Sequence, residues 1–136
     1  MSGSLRLEVV TPEGKVFSSD VTEIQFPTRY RGYYGILPDH TPVLAPLGDG
    51  LITCLSGGKK VVLTIFGGFA EVGPERVNIL ASESDTADKL DKAELLDRLR
   101  DTEQSLKNAK DPEEQQKCLG EINACKLRLQ AIESSQ

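Results

Sequence analysis

Over residues 5–81 apolar and polar positions alternate with period two, and each run ends in turn-forming residues. Leu5, Leu7 and Val9 fall on one face, with Arg6 and Glu8 on the other, until Pro12-Glu13-Gly14 closes the run. Val16-Phe17 follows, then Thr22, Ile24 and Phe26 opposite Glu23 and Gln25, with Pro27 expected to stop that strand. Leu51 to Leu55 and Lys60 to Phe66 flank Ser56-Gly57-Gly58-Lys59, a hairpin connection. Phe69 to Val72 and Arg76 to Ala81 flank Gly73-Pro74-Glu75, a second one. Short strands with turn signals about every eight to twelve residues predict an antiparallel sandwich or barrel.

From Ser84 the period changes to that of a helix. Leu95, Leu99, Thr102, Leu106 and Ala109 form one stripe at alternating four- and three-residue spacing, and Cys118, Ile122, Cys125, Leu129 and Ile132 form another. Asp111-Pro112-Glu113-Glu114 starts the second helix with a capping carboxylate, a proline at the first helical position and acidic groups at the positive helix end. Asp91-Lys92-Ala93-Glu94 has the form of a capping box for the first. The fold class expected is therefore β + α: a β-sandwich over residues 1–84, then an antiparallel two-helix hairpin over 85–136. Isolated helices of this length are marginal in water, so the hairpin must lean on the sandwich or on a partner. A mobile regulatory arm and a static structural arm fit that requirement equally.

The segment Gly32 to Gly50 interrupts the alternation. It holds four glycines, three prolines and the only histidine, so its backbone path is specified at many points. It reads as a loop, one short strand and two tight corners, offering Tyr33, Tyr34, Ile36 and Leu37 to the core or to a partner. Arg29 to Tyr34 holds all three tyrosines and two arginines, the types enriched at binding hot spots.

Charge and candidate chemistry narrow the function. The net charge is −5, and acidic residues outnumber basic ones by nine to seven over residues 1–83 and by twelve to nine over 84–136. No basic stripe is present to neutralise a phosphate backbone, so nucleic-acid binding is not expected. The N-terminus lacks the pattern of a signal or transit peptide, and no apolar run is long enough to span a bilayer. Cys118 and Cys125 are about 10.5 Å apart along a helix at ~1.5 Å per residue, too far for a disulfide, which suits a reduced, cytosolic chain. His40 has no G-x-S-x-G serine or cysteine motif beside it and is expected to be a hydrogen-bonded structural residue. Cys54, Cys118 and Cys125 show no metal-ligand spacing. Gly57-Gly58-Lys59 lacks the spacing of a phosphate loop, and Gly67-Gly68 marks a bulge or a close backbone approach. Neither catalytic residues nor metal ligands are expected.

Gly32-Tyr33-Tyr34-Gly35-Ile36-Leu37-Pro38-Asp39-His40-Thr41-Pro42-Val43-Leu44 resembles the G-x-x-G-[IV]-[LY]-P-x-H-x-P-[LV]-L signature of the epsilon subunit of F-type ATP synthases, called delta in mitochondria. Gly48-Asp49-Gly50, Gly67-Gly68-Phe69-Ala70-Glu71-Val72, Val77-Asn78-Ile79-Leu80-Ala81, the opening Leu7 to Pro12 and Phe17 also fit, in order. The resemblance implies a sandwich of about ten strands with a C-terminal two-helix domain. It implies a non-catalytic rotor subunit of the central stalk, bound to the gamma subunit and seated on the c-ring, coupling transmembrane proton flow to ATP synthesis. Arg31, Tyr33, Tyr34, Ile36, Leu37 and His40 would then contact the c-ring or gamma.

In bacterial relatives the helices can extend into the alpha/beta catalytic head and restrain ATP hydrolysis; Lys117, Lys126 and Arg128 are the basic residues of the second helix that would serve this. Many relatives open the first helix with an ATP-associated [IL]-D-x-x-R-A motif. Leu90 and Asp91 fit it, but Glu94 stands in place of Arg and Leu95 in place of Ala. A carboxylate there repels a nucleotide phosphate, so at most weak ATP binding, and no resident cofactor, is expected. The resemblance places the chain peripherally on the cytoplasmic side of a bacterial membrane, or on the stromal side of a thylakoid. The reading from a different class is a β-sandwich interaction module with a helical adaptor arm, unrelated to rotary catalysis.

Overall fold

A computed structural model describes residues 3–136. Among them nine strands precede two helices: β1 Leu5–Thr11, β2 Gly14–Val21, β3 Ile24–Thr28, β4 Gly32–Ile36, β5 Val43–Pro46, β6 Gly50–Ser56, β7 Lys59–Ile65, β8 Phe69–Val72, β9 Arg76–Leu80, α1 Lys92–Asn108 and α2 Pro112–Ser134. A five-stranded sheet in the order β2-β1-β9-β8-β5 faces a four-stranded sheet in the order β4-β3-β6-β7. Neighbours are antiparallel except β1 and β9, the first and last strands, which run parallel.

The alternation has the predicted sense. Leu5, Leu7 and Val9 point inward beside Val77 and Ile79 and meet Phe26, Ile36, Ile52, Leu63 and Ile65 of the facing sheet. Gly57 and Gly58 take φ of +58° and +78°, the two left-handed positions of a type I′ turn, and join β6 to β7. Pro27 does not stop β3, which runs on to Thr28 and pairs Pro27 with Tyr33. The Pro27 carbonyl accepts from the Gly48 N–H at 3.1 Å, so its nitrogen faces that same side, away from β4. Ladder pairing with β6 has ended by then at Gln25, and no bond is lost for want of the proline N–H.

Gly32 to Gly50 holds two strands rather than one. β4 is an edge of the small sheet and β5 an edge of the large one, so the segment crosses from one sheet to the other at an open side of the sandwich. The crossover is pinned: Asp39 sits at φ +64° and its N–H donates to the Pro74 carbonyl at 2.8 Å.

At the opposite edge of the small sheet, residues 83–86 lie along β7 as a strap. Two isolated bridges, Phe66 with Glu83 and Leu63 with Thr86, hold it there. The composition break at Ser84 thus falls inside a segment that belongs to the sheet edge. A single 3₁₀ turn, Ala87–Lys89, leads into the hairpin. Asp91 caps α1 by accepting from the Glu94 N–H at 3.2 Å. The Glu94 carboxylate does not return the bond but pairs with Arg98 at 3.6 Å, one helical turn on. Asp111 accepts from the Glu113 N–H at 3.1 Å, with Pro112 in the first turn of α2 as expected.

α1 buries Leu95 and Thr102, and α2 buries Cys118, Ile122, Cys125 and Ala131. α2 docks the hairpin: Ala131 and Leu127 pack with Leu90 and Ala87 over Leu51 and Val62 on the outer face of β6 and β7. Fully burying one large aliphatic side chain contributes about 1.5–3 kcal/mol, so this small patch holds the hairpin by only a few such units.

Candidate functional site

The residues expected to meet a partner divide between the two faces of β4. Strand alternation sends Tyr33 and Leu37 to the outside and Tyr34 and Ile36 towards the core. Ile36 is buried in that core and is unavailable to a partner, which removes it from the contact set. The Tyr33 hydroxyl accepts from the Leu51 N–H at 3.1 Å, laying the ring across Pro27 and Gly50. A Cβ at Gly50 would come within 2.7 Å of that hydroxyl and 2.9 Å of the Pro27 ring, so the glycine makes room for the tyrosine. Tyr34 packs against Phe26 with ring centroids 6.1 Å apart and meets His40 edge-on at 5.7 Å.

His40 is tied from both ring nitrogens. Nδ1 lies 2.6 Å from the Thr41 carbonyl, which can only accept, so Nδ1 carries a proton; Nε2 lies 3.3 Å from the Tyr34 hydroxyl. The histidine thus braces the crossover to β4. Arg31 is exposed in the β3–β4 turn, where the Thr28 hydroxyl donates to the Gly32 carbonyl at 2.6 Å and accepts from the Arg31 N–H at 3.1 Å. Leu37 is exposed, and among the described residues Tyr30 is the most exposed of the large apolar side chains, at 79 %. A hollow of about 340 Å³ opens between Tyr30, Arg31 and Tyr34 on one side and Val43 to Pro46 on the other.

A second surface escaped the sequence reading. On the outer face of the large sheet, register places Pro46 beside Phe69, Phe69 beside Leu80, and Leu80 beside Val10. Phe69 is 52 % exposed and Leu80 59 %; Leu44, on the same face of β5 but opposite Glu71, lies beside the row at 67 %. The signal was present as adjacent apolar pairs, Val9-Val10, Phe69-Ala70 and Ile79-Leu80, which break the alternation. One member of each pair must face out, and register across three strands brings the outward members together.

Leu90 and Asp91 line a hollow of about 230 Å³ between the linker and the two helices. Its cations are Lys89, Arg98 and Arg128 and its carboxylates Asp85, Asp91 and Glu94. Arg98 pairs with Glu94 at 3.6 Å and Arg128 with Asp85 at 2.8 Å. Lys117 and Lys126 are exposed on α2, nine residues or about two and a half turns apart, and so on opposite sides of the helix. Lys126 lines a hollow with Asp49 and Phe66, and Arg128 is the one of the three that pairs with carboxylates of the strap. Burial pushes the Cys54 thiol up to about 11, which leaves it an inert core residue at neutral pH. Among the described residues no group of three or more His, Cys, Asp or Glu is placed to hold a metal ion, and no helix is long and apolar enough to cross a membrane.

A braced sandwich with an exposed aromatic end, an apolar row on one sheet and a helical hairpin docked on the other defines a small subunit built for protein contacts. Residues 4–87 match the profile of the ATP synthase, Delta/Epsilon chain, beta-sandwich domain. The ATP synthase epsilon chain of Solibacter usitatus is 42 % identical over 91 residues, 67 % of each chain. That of Maricaulis maris is 34 % identical over 114 residues, 84 % of this chain and 85 % of that one. In the solved structure of the Euglena gracilis mitochondrial ATP synthase, OSCP/F1/c-ring, one chain superposes with a TM-score of 0.67 at 20 % identity, over 98 % of this chain and 79 % of that one, a likeness of fold. The chain belongs to the delta/epsilon chain family of ATP synthases, which sets aside the reading of an unrelated adaptor module.

Proposed function

We propose that the chain is a non-catalytic rotor subunit of the central stalk, docked on the gamma subunit through the apolar row Pro46, Phe69, Leu80 and Val10. That row is the observation that carries the assignment. A small protein gains nothing by exposing an aromatic and two leucines on one sheet face unless a partner covers them. The aromatic end, with Tyr30, Arg31, Tyr34 and Leu37, adjoins this row across the hollow lined by Val43 to Pro46 and suits the polar loops of a c-ring. On this reading the subunit couples proton flow to ATP synthesis by transmitting torque. It is held peripherally at the membrane through the complex, on the cytoplasmic side in a bacterium. Purified chain and gamma subunit are expected to form a stable complex at micromolar concentration. Failure to associate there would remove the rotor assignment.

The helical hairpin is read as a restraint on ATP hydrolysis by the alpha/beta head. Deleting residues 91–136, which retains the residues of the strap, is expected to leave assembly intact and raise the hydrolysis rate of the complex. An unchanged rate would leave the hairpin a structural arm. Nucleotide is not expected to control it. Arg98 and Arg128, the arginines of the hollow beside Leu90 and Asp91, already have internal carboxylate partners, and Glu94 adds a charge that repels phosphate. Isothermal titration of ATP into the full chain should show no saturable binding at micromolar concentration, and a tight isotherm would refute this.

A further inference from the structure

The contact between α2 and the strap forms one connected unit. Arg128 is only 16 % exposed; its Nε donates to Asp85 Oδ2 at 2.8 Å and its terminal nitrogen to Glu83 Oε2 at 3.3 Å. Its guanidinium stacks over the Phe66 ring, 4.9 Å from the centroid. Asp85 is the junction. The same Oδ2 accepts from the Thr64 hydroxyl at 2.9 Å, and the Thr64 hydroxyl in turn accepts from the Asp85 N–H at 2.9 Å. Main-chain bonds complete the strap: Thr64 N–H to the Asp85 carbonyl at 2.9 Å and Phe66 N–H to the Glu83 carbonyl at 3.0 Å. Ser84 adds a bond from its hydroxyl to the Thr64 carbonyl at 2.7 Å. One arginine therefore grips both carboxylates of the strap and the aromatic ring of the edge it covers.

The geometry points to a mechanical latch: Arg128 holds α2 and the strap on β7 as a single unit, so that releasing the arginine opens both together. Two features favour coupled over separate opening. With Arg128 withdrawn, Asp85 and Glu83 stand two residues apart on one side of the strap without their shared cation, and the two carboxylates repel. The apolar patch under α2 is small and includes Ala87, which directly follows the strap, so lifting the helix uncovers the strap's end. The unit also carries an opposing strain. Thr86 Oγ1 is buried with no hydrogen-bond partner among the described residues, a destabilising group in the closed state alone. The closed state is thus held by charge-assisted bonds and opposed by an orphaned hydroxyl at the strap's end.

Residue-resolved amide hydrogen exchange on the isolated full chain tests this independently of any rotor role. In Arg128→Gln the amides of Thr64 and Phe66, which report the strap, and those of residues 122–131 of α2 are expected to exchange about tenfold faster or more. Core amides of β1 and β9 should keep their wild-type rates. Asp85→Asn should produce the same pattern, and the double variant should add little to either single one. Thr86→Val, which removes the orphaned hydroxyl at nearly constant shape, should slow the same amides about fivefold. Faster exchange in α2 with the Thr64 and Phe66 amides unchanged would overturn the coupling. Equal acceleration of the β1 and β9 amides would mean general destabilisation and would overturn the latch. Simple additivity of Arg128→Gln and Asp85→Asn would show two unrelated contacts.

Discussion

Gly68→Ala is expected to destabilise the sandwich by about 3–5 kcal/mol, a fall in thermal midpoint on the order of 10–20 °C for a domain of this size. Gly68 takes φ +112°, a region that L residues rarely enter. An added Cβ would also fall on the Leu80 carbonyl oxygen and lie 2.8 Å from the Ala81 Cα, both backbone atoms that no rotamer change can move. Relief would require β8 and β9 to part just where Phe69 pairs with Leu80. Gly120→Ala is the control. Its Cβ would meet nothing within 4 Å on the exposed side of α2, so the helix should gain about 0.5–1 kcal/mol. Thermal unfolding of the two variants should move in opposite directions, and a Gly68→Ala midpoint within a few degrees of wild type would contradict the close-approach reading.

Phe69→Asp is expected to weaken association with the gamma subunit about 100-fold. Losing a central aromatic contact is worth about 2 kcal/mol or more, and leaving a carboxylate under a partner adds a desolvation penalty. The side chain is on the outer face of β8, so the variant should still fold, with a midpoint near that of the parent chain. Leu80→Asp should act in the same direction. Tyr30→Ala, across the hollow from Leu44 and Pro46, should weaken gamma binding far less than Phe69→Asp and would instead be felt by a c-ring contact. Affinity for gamma unchanged in Phe69→Asp would move the docking surface elsewhere.

Much of the fold was legible because its local rules agree with its tertiary structure. The period-two runs of β1, β6, β7 and β9, the Gly57-Gly58 turn and the Asp91 and Asp111 caps each follow from side-chain chemistry within a few residues. The readings that changed depended on neighbours distant in sequence. Pro27 stays in its strand because β6 has already left its side. Ile36 looked like an offered anchor, but edge position and alternation turn it inward beside Phe26. Arg128 read as a free basic residue of α2, and only the strap at residues 83–86 makes it an internal ion pair.

By itself, then, the chain determined its sandwich-and-hairpin division, its two tight hairpins, its helix caps and the rigid Gly32–Gly50 corner, since each needs only backbone freedom, period or a cap within reach. The collinear motifs also identified the family. Only the tertiary structure decided which apolar residues face out together and what closes the hairpin. Those facts depend on register between β5, β8, β9 and β1 and on an arginine meeting carboxylates more than forty residues away. Periodicity in a single strand cannot encode its alignment with another, and charge counted along a helix cannot say which cation is already paired.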